Sequence, residues 1–266
     1  MDENVKRPTI SVVINTLNAE RLLEKCLESV KNADEIVICD MYSEDKTIEI
    51  AQKFNCKICY HERCGYVEPA RNYAISQASG DWVLILDADE LVTPNLFEYL
   101  RKFSQNDKNN TVLEVPRETF VLGQKLRCMK QSRLARFFKK GCAEYSNAIH
   151  EHPHVLNGNM IYVPKNEKDC AILHYHIESI ASYLEKTNRY TDFEQDRFKA
   201  KSKKFSCTRL IFRPIFEFIK FYILKGDFLD GTCGLIICFM NAQYKFIQLA
   251  KLYEVEYKKQ NPNKIY

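Results

Sequence analysis

Residues 82–90 read WVLILDADE, an unbroken apolar run that ends in three acids, Asp87, Asp89 and Glu90. A continuous apolar run of this length predicts a β-strand covered on both faces, as in a parallel sheet flanked by helices. The acids that follow would then lie at the carboxyl edge of the sheet, where open α/β sheets bind their ligands. The stretch therefore predicts both a fold class and the place of a functional site.

The surrounding sequence extends this pattern over residues 10–115. Short β-rich runs alternate with helical patterns in the order ISVVIN, AERLLEKCLESVK, EIVICD, DKTIEIAQKF, CKICYH, EPARNYAISQA, WVLILD and NLFEYLRKF. Such alternation predicts βαβ units on a mostly parallel sheet, and therefore an α/β fold. Because EIVICD also ends in an acid, we expect Asp40 and Asp87 at one edge.

Composition sets broad limits. A chain of 266 residues with 45% apolar content can form one large domain, or one domain with an appendage. A net charge of +4 from 39 basic and 35 acidic residues indicates no nucleic-acid partner. The eleven scattered cysteines and the polar start MDENVKRPTI predict reduced thiols and a cytoplasmic location.

Two cysteine- and histidine-rich stretches leave a zinc site as an alternative. Cys56 and Cys59 form a CxxC with His61 and Cys64 close behind, but CKICYH also alternates like a strand. In NAIHEHPHV, histidines recur at every second position, a spacing that does not readily close a tetrahedron. We favour strand structure for both stretches.

The acids of DADE can hold a cation. The sequence contains neither GxGxxG nor GxxxxGK, so a bound phosphate needs another counter-charge, and Mg²⁺ or Mn²⁺ held by carboxylates would supply it. On a strand, Asp87 and Asp89 would face one side, about 7 Å apart. The alternative is helix capping, a role that Thr93 before Pro94 can fill by itself.

Three segments carry a family resemblance: SVVINTLNAERLLEKCLESV, DEIVICDMYSEDKTIEIA and EPARNYAISQASGDWVLILDADE. In this order and spacing they resemble the family 2 glycosyltransferases, which have the GT-A fold. The later segments RLARFFKKGCAEYSNAIHEHPHV, ILHYHIESIASYLEKTNRYTDFEQDRF and RPIFEFIKFYILKGDFLDG resemble the subgroup that builds lipopolysaccharide cores and other surface glycans.

The resemblance implies a nucleotide-diphosphate sugar donor and assigns site residues. The implied nucleoside contacts are Thr16, Asn18, Glu20 and Asp40. Arg71 would bind the diphosphate with its cationic fork, Asp87 the ribose, and Asp89 the metal, with His174 completing the metal or diphosphate site. Where family members often read SGSTDGT, this chain reads MYSEDKT, which keeps Asp45 but loses both glycines.

The second half is expected to supply the acceptor site and the catalytic base. The resemblance favours HE in NAIHEHPHV as an acceptor-side pair, with Glu151 as the general base, although His150 can do the same work. Beyond residue 178 the pattern is helical: Ile180, Tyr183, Leu184, Thr187 and Tyr190 predict a core-facing stripe. Residues 199–224 join lysines to aromatic residues, which suits either a helix in a membrane interface or a packed helix hairpin.

Together these observations predict a catalytic GT-A domain over residues 1–177, divided at about residue 105 into donor and acceptor halves, and a helical region over 178–266. The expected activity is metal-dependent, inverting transfer, of hexosyltransferase type, from a UDP-sugar to a lipopolysaccharide-core, surface-glycan or lipid-linked acceptor. A protein or peptide acceptor, a nucleotidyltransferase and a binding module without turnover are the alternatives. The expected location is cytoplasmic, with peripheral contact to the inner face of the membrane.

Overall fold

The computed structural model describes residues 7–63, 68–106, 109–126, 132–146, 153–200 and 203–262. The elements of the first part are, in order, β1 (Ile10–Thr16), α1 (Glu20–Ser29), β2 (Glu35–Asp40), α2 (Thr47–Lys53), β3 (Lys57–Tyr60), α3 (Glu68–Gln77), β4 (Trp82–Asp87), β5 (Glu90–Val92) and α4 (Pro94–Asn106). Strands follow: β6 (Asn110–Val121), β7 (Gln124–Lys125), β8 (Ser132–Lys139), β9 (Ala143–Glu144), β10 (His154–Val155), β11 (Asn159–Tyr162) and β12 (Ile172–Ile177). The last elements are α5 (Ile180–Ala200), α6 (Cys207–Ile219), a π-helical turn (Lys220–Leu224), a 3-10 turn (Asp227–Asp230) and α7 (Gly231–Gln260).

The main sheet has the order β3-β2-β1-β4-β8-β6-β12-β5, with β7 and β11 paired to β6. Strands β3, β2, β1 and β4 are parallel, as their apolar sequences predict. Strand β8 runs antiparallel to both β4 and β6. The α/β fold class is confirmed, and the parallel arrangement belongs to its first four strands.

Both faces of the parallel strands are covered. Alternate residues of β1 enter two different core clusters: Val12 packs with Leu27 of α1 and Leu100 of α4, whereas Val13 packs with Ala74 of α3. Helices on both faces leave no solvated side, which is why the strands read as continuous apolar runs. Polar residues are consequently displaced to the strand ends.

The chain turns immediately after β4. The expectation that Asp87 and Asp89 share one strand is wrong, because residues 88–89 form a turn and β5 starts at Glu90. The Glu90 carboxylate stabilises this turn by accepting a hydrogen bond from the Asp87 backbone N–H at 3.0 Å. Thr93 caps α4, since its hydroxyl accepts from the Leu96 N–H at 3.4 Å. The acids of DADE are therefore not needed as helix caps.

The chain divides into two compact units. The first comprises Met1–Glu118 with Gln131–His174, and the second comprises Thr119–Lys130 with Tyr175–Tyr266. In the second unit, Tyr183 and Ile237 belong to an apolar cluster with parts of α6 and the π-helical turn packed against it. Among the described residues, none of the helices has both the length and the hydropathy to cross a bilayer.

The helix expected after residue 178 is confirmed as α5, but the expected core stripe is only partly correct. Tyr183 and Thr187 are buried, whereas Ile180, Leu184 and Tyr190 are 40–43% exposed. A helical repeat identifies an apolar face without showing that a neighbour covers all of it.

Candidate functional site

Carboxylates meet at the carboxyl edge of the parallel strands. Strand β1 lies between β2 and β4, with Thr16 in register with Asp40 and Asn15 in register with Asp87. The two acids therefore lie at one edge, as the sequence predicts, and a single strand separates them. This is the edge at which α/β sheets bind ligands.

Asp87 is held between two arginines from different elements. Arg71 of α3 donates to its Oδ1 at 2.9 Å, and Arg136 of β8 donates to its Oδ2 at 2.7 Å. Both guanidinium groups are almost fully buried. Burial alone would raise the pKa of Asp87, but the charges of Arg136 and Arg71 outweigh it and hold the pKa well below its usual range. The carboxylate is thus ionised and fixed in orientation before any ligand arrives.

Glu90 extends this group of charges into the interior. It has no exposed surface, and its Oε1 lies 3.7 Å from Arg136 Nη2 and 3.6 Å from Arg117 Nη1. Burial raises the pKa of Glu90, an effect that the charge of Arg136 opposes and that of Asp87 reinforces. The sequence identified Glu90 only as part of DADE and gave Arg136 no role. The one signal for Arg136 in the sequence is its position amid the apolar residues of RLARFF.

An aromatic residue that the sequence did not single out, Tyr145, packs beside Arg71. Tyr145 is buried, and the Arg71 guanidinium lies over its ring at 5.3 Å from the centroid. Asn72, next to Arg71, exchanges two hydrogen bonds with the Tyr145 backbone, at 2.7 and 3.0 Å. These contacts fix the first half of α3 and with it the direction of the Arg71 side chain.

Asp89 and His174 lie together on the other side of the turn. His174 of β12 is in register with Glu90 of β5, and its Nε2 lies 3.7 Å from Asp89 Oδ1. A carboxylate oxygen and an imidazole nitrogen at this separation suit Mn²⁺ or Mg²⁺, which takes few protein ligands and completes its shell with water and phosphate oxygens. Among the described residues, no group of three or more such ligands occurs. The pair by itself could supply two protein ligands to such a cation.

Asp40 is fully buried and orders the loop after β2. It accepts hydrogen bonds from the Thr16 hydroxyl at 2.7 Å and from the Ser43 N–H and hydroxyl at 2.8 and 2.6 Å. Tyr42, within the loop, has a left-handed backbone with φ 58° and stacks on Tyr60 with ring centroids 5.4 Å apart. The loop thus keeps a conformation that favours glycine although the glycine is absent.

The loops after β1 and β2 are joined by reciprocal hydrogen bonds. Asn18 Oδ1 accepts from the Glu44 N–H at 2.8 Å, and Glu20 Oε2 accepts from the Lys46 N–H at 3.0 Å. In return, Asp45 Oδ2 accepts from the Glu20 N–H at 3.0 Å. Thr16, Asn18, Glu20 and Asp40 therefore form one connected rim at the sheet edge. Glu151 and His150, the residues expected to act as base, lie outside the described residues.

Comparison with known proteins identifies relatives of the whole chain. The family model described as glycosyl transferase family 2 matches residues 11–156, more than half of the sequence. The chain is 29% identical over 261 residues to an uncharacterized glycosyltransferase of Rickettsia typhi, covering 95% of this chain and 89% of that protein. It is 28% identical over 263 residues to the lipopolysaccharide core biosynthesis glycosyltransferase LpsC of Rhizobium meliloti, covering 96% and 95%.

Two solved structures show a more distant likeness. One is glucosyl-3-phosphoglycerate synthase of Mycobacterium tuberculosis with Mn²⁺, UDP and glucosyl-3-phosphoglycerate, at 20% identity and a TM-score of 0.39, covering 50% of this chain and 57% of that one. The other is TarS residues 1–349 of S. aureus with UDP-GlcNAc, at 20% identity and a TM-score of 0.40, covering 50% and 45%. The family match extends over β1 to β10, including Asp40, Arg71, Asp87, Asp89 and Arg136. The expected family is thereby confirmed, and the chain belongs to glycosyl transferase family 2 and is a glycosyltransferase.

Proposed function

We propose that this glycosyltransferase is metal-dependent and inverting, and that it transfers a sugar from a UDP-sugar to a lipopolysaccharide-core, surface-glycan or lipid-linked acceptor. The observation that carries the proposal is the fixed, ionised Asp87 between Arg71 and Arg136, one strand away from Asp40 and one turn away from Asp89. The acceptor class is supported by LpsC, a lipopolysaccharide core biosynthesis glycosyltransferase that aligns over nearly its full length.

The rim formed by Thr16, Asn18, Glu20 and Asp40 binds the nucleoside in this proposal. Asp40 Oδ1 already accepts two hydrogen bonds, from the Thr16 and Ser43 hydroxyls, whereas Oδ2 accepts one, from the Ser43 N–H, and has capacity for another. It can therefore receive the uracil N–H or a ribose hydroxyl without releasing the loop. Asp87 accepts from the ribose in the same way.

Arg71 binds the donor diphosphate. Its guanidinium uses Nη2 to contact Asp87, which leaves further N–H groups of the same planar fork to donate. Packing on Tyr145 limits the rotation of this fork. A positioned, permanently charged donor of this kind suits phosphate oxygens better than a mobile lysine would.

Asp89 and His174 would hold the metal ion. A divalent cation there would neutralise negative charge on the leaving diphosphate. The chain's own contribution is one hard oxygen ligand and one imidazole nitrogen, directed to the same place by the β4–β5 turn and by β12. Both side chains are more than two-thirds buried, which limits competition from water.

The reaction is a single displacement. The acceptor oxygen forms a bond to the anomeric carbon while the bond from that carbon to the diphosphate oxygen breaks, and the configuration inverts. The acceptor proton passes to a general base, for which Glu151 is the first choice and His150 the second. A lipid-linked acceptor would also place the enzyme peripherally at the inner face of the cytoplasmic membrane.

The donor site is tested by thermal shift with UDP-, GDP- and dTDP-sugars, with and without Mn²⁺, because a ligand of the folded state raises its apparent stability. Asp89→Asn should abolish the Mn²⁺-dependent part of UDP binding, since a neutral amide is a poor ligand for a hard cation. Asp40→Ala should weaken UDP and UDP-sugar alike, with or without metal. Asp169→Asn, an exposed change, is the control. Unchanged Mn²⁺-dependent affinity in Asp89→Asn would reject the metal site.

The base is tested by Glu151→Gln beside His150→Gln, with labelled donor and separate lipid and peptide acceptor fractions. If Glu151 is the base, its variant should bind donor normally while transfer slows by roughly a hundredfold or more. His150→Gln should keep most of the activity. The opposite pattern would assign the role to the histidine, and label appearing only in the peptide fraction would refute the proposed acceptor.

A further inference from the structure

Helix α6 of the second unit shows an inverted burial pattern. All of its residues are described, and the one that is buried is an acid, Glu217. Large apolar side chains instead face outward along α6 and the π-helical turn. We name this surface the apolar ridge, and its principal members are Ile211, Phe212, Ile215, Phe216, Ile223 and Leu224, each 51–73% exposed.

The ridge is not an unassigned part of the core, because other side chains of the same segment already supply its packing. Phe218, Phe221 and Tyr222 lie against the apolar cluster that includes Ile237 of α7. The Phe218 and Phe239 rings are 4.7 Å apart. The segment is therefore anchored by these aromatic residues while the ridge side chains stay exposed. Contiguous apolar surface of this kind is uncommon on proteins unless it has a partner.

Cations border the ridge. At 3.6 residues per turn, Arg209, Arg213 and Lys220 fall on one line along the helix, beside the line of Phe212 and Phe216. Arg213 and Lys220 retain 51% and 36% side-chain exposure.

Glu217 is the one acid in the sequence between residues 203 and 226, and it lies 3.6 Å from both Arg213 and Lys220. Because Glu217 is buried, the charge presented to solvent along this edge is positive.

We propose that the apolar ridge docks into the interface of an anionic lipid bilayer, with α6 parallel to the membrane plane. A bilayer supplies both an apolar layer for the phenylalanine and isoleucine side chains and anionic headgroups for the bordering arginines and lysines. In a two-fold symmetric dimer the ridge would meet the same cations again, and residues 203–226 would offer no exposed acid to pair with them. Charge complementarity therefore favours lipid over self-association.

The test is co-sedimentation of the full chain with vesicles of phosphatidylcholine alone or with about one third phosphatidylglycerol, in salt rising from about 0.05 to 0.5 M. The protein should bind the anionic vesicles, and salt should weaken binding by screening the cations. Phe212→Ser with Phe216→Ser should lower the partition coefficient by about tenfold or more. Arg209→Glu with Lys225→Glu, which changes the exposed lysine directly after the π-helical turn, should remove the preference for anionic lipid.

Matched controls are Phe193→Ser on α5, which is 39% exposed, and Lys165→Glu in an exposed loop, both expected to bind as wild type. Circular dichroism and thermal melting confirm that each variant is folded. The proposal would be overturned if the protein bound both vesicle types equally or bound neither. It would also be overturned if the double phenylalanine variant bound as wild type. A lipid-free dimer that this variant dissociates, without vesicle binding, would show that a second copy covers the ridge. Vesicle binding is measured independently of sugar transfer, so this test can reject membrane docking without bearing on the proposed function.

Discussion

Arg136→Met is the most informative single change, because Arg136 contacts both Asp87 and the buried Glu90. Its guanidinium lies 2.7 Å from Asp87 and 3.7 Å from Glu90, and the residue is 5% exposed. Methionine fills much of the same volume without charge. The substitution therefore tests the electrostatic role of Arg136 separately from its packing.

The expected cost follows from the partners left behind. Removing one member of a buried ion pair costs about 3–5 kcal/mol, because the remaining charge is buried without compensation. Here Asp87 keeps Arg71 at 2.9 Å and Glu90 keeps Arg117 at 3.6 Å, which places the estimate at the lower end, about 3 kcal/mol. Arg136→Lys keeps the charge but loses the planar fork, and should cost about half as much.

The measurement is urea denaturation followed by the fluorescence of Trp82, the chain's single tryptophan. Trp82 begins β4 and stacks on Phe137, the neighbour of Arg136, at a centroid distance of 5.0 Å. Adding Glu90→Gln to Arg136→Met removes one unbalanced acid, so the double variant should lose less stability than the sum of the single changes, by about 1–2 kcal/mol.

Arg101→Met is the control for this series. Arg101 pairs with the part-exposed Asp34, and losing that pair should cost only about 1 kcal/mol. Strict additivity of Arg136→Met and Glu90→Gln would refute the reasoning, as would an Arg136→Met variant no less stable than Arg101→Met.

Gly234→Ala should destabilise the second unit by about 3 kcal/mol in thermal or urea melts, because the new Cβ would lie 1.8 Å from the Asp227 carbonyl oxygen. Gly141→Ala, which meets open space at φ +81°, should cost only about 1 kcal/mol, and equal costs would contradict the packing argument. Burial raises the pKa of Asp34, but its hydrogen bond from Arg101, with the charge of Arg7, outweighs burial and lowers the net pKa. The ionised Asp34 should therefore stabilise the folded state fully above its unfolded pKa of about 4, and this contribution should be lost as the pH falls through the lower pKa of the folded state. Asp34→Asn should accordingly reduce the loss of unfolding free energy at acid pH.

The sheet and its acidic edge could be predicted because each depends on local pattern. Apolar runs such as EIVICD and WVLILD indicate strands buried on both faces, and the βαβ order places Asp40 and Asp87 at the same end. Register then follows from the shared neighbour, β1. The helix cap at Thr93 was equally readable from the residues beside it.

The arginine partner on β8 could not be predicted, because its contact is non-local. Arg136 and Asp87 are 49 residues apart in the sequence, and RLARFFKK is also consistent with an exposed strand charge. The turn after β4 was not predicted because no glycine or proline marks it; the Glu90 carboxylate holds it by accepting a hydrogen bond from the Asp87 N–H. The left-handed backbone at Tyr42 could not be predicted either, because the sequence has no glycine there and the Asp40–Ser43 hydrogen bond holds the loop instead.

These non-local contacts supply a reason for assigning different roles to the two aspartates. Each Asp87 oxygen has a guanidinium nitrogen within 2.7–2.9 Å, so a divalent cation placed there would meet two fixed positive charges. Each oxygen can still accept a second hydrogen bond, which suits a neutral hydroxyl such as that of a ribose. Asp89, carried away from β4 by the turn, has its Oδ1 beside the His174 imidazole, a group that can coordinate the same ion. Electrostatics therefore favour the hydroxyl at Asp87 and the cation at Asp89, a division of roles that the motif DADE alone does not specify.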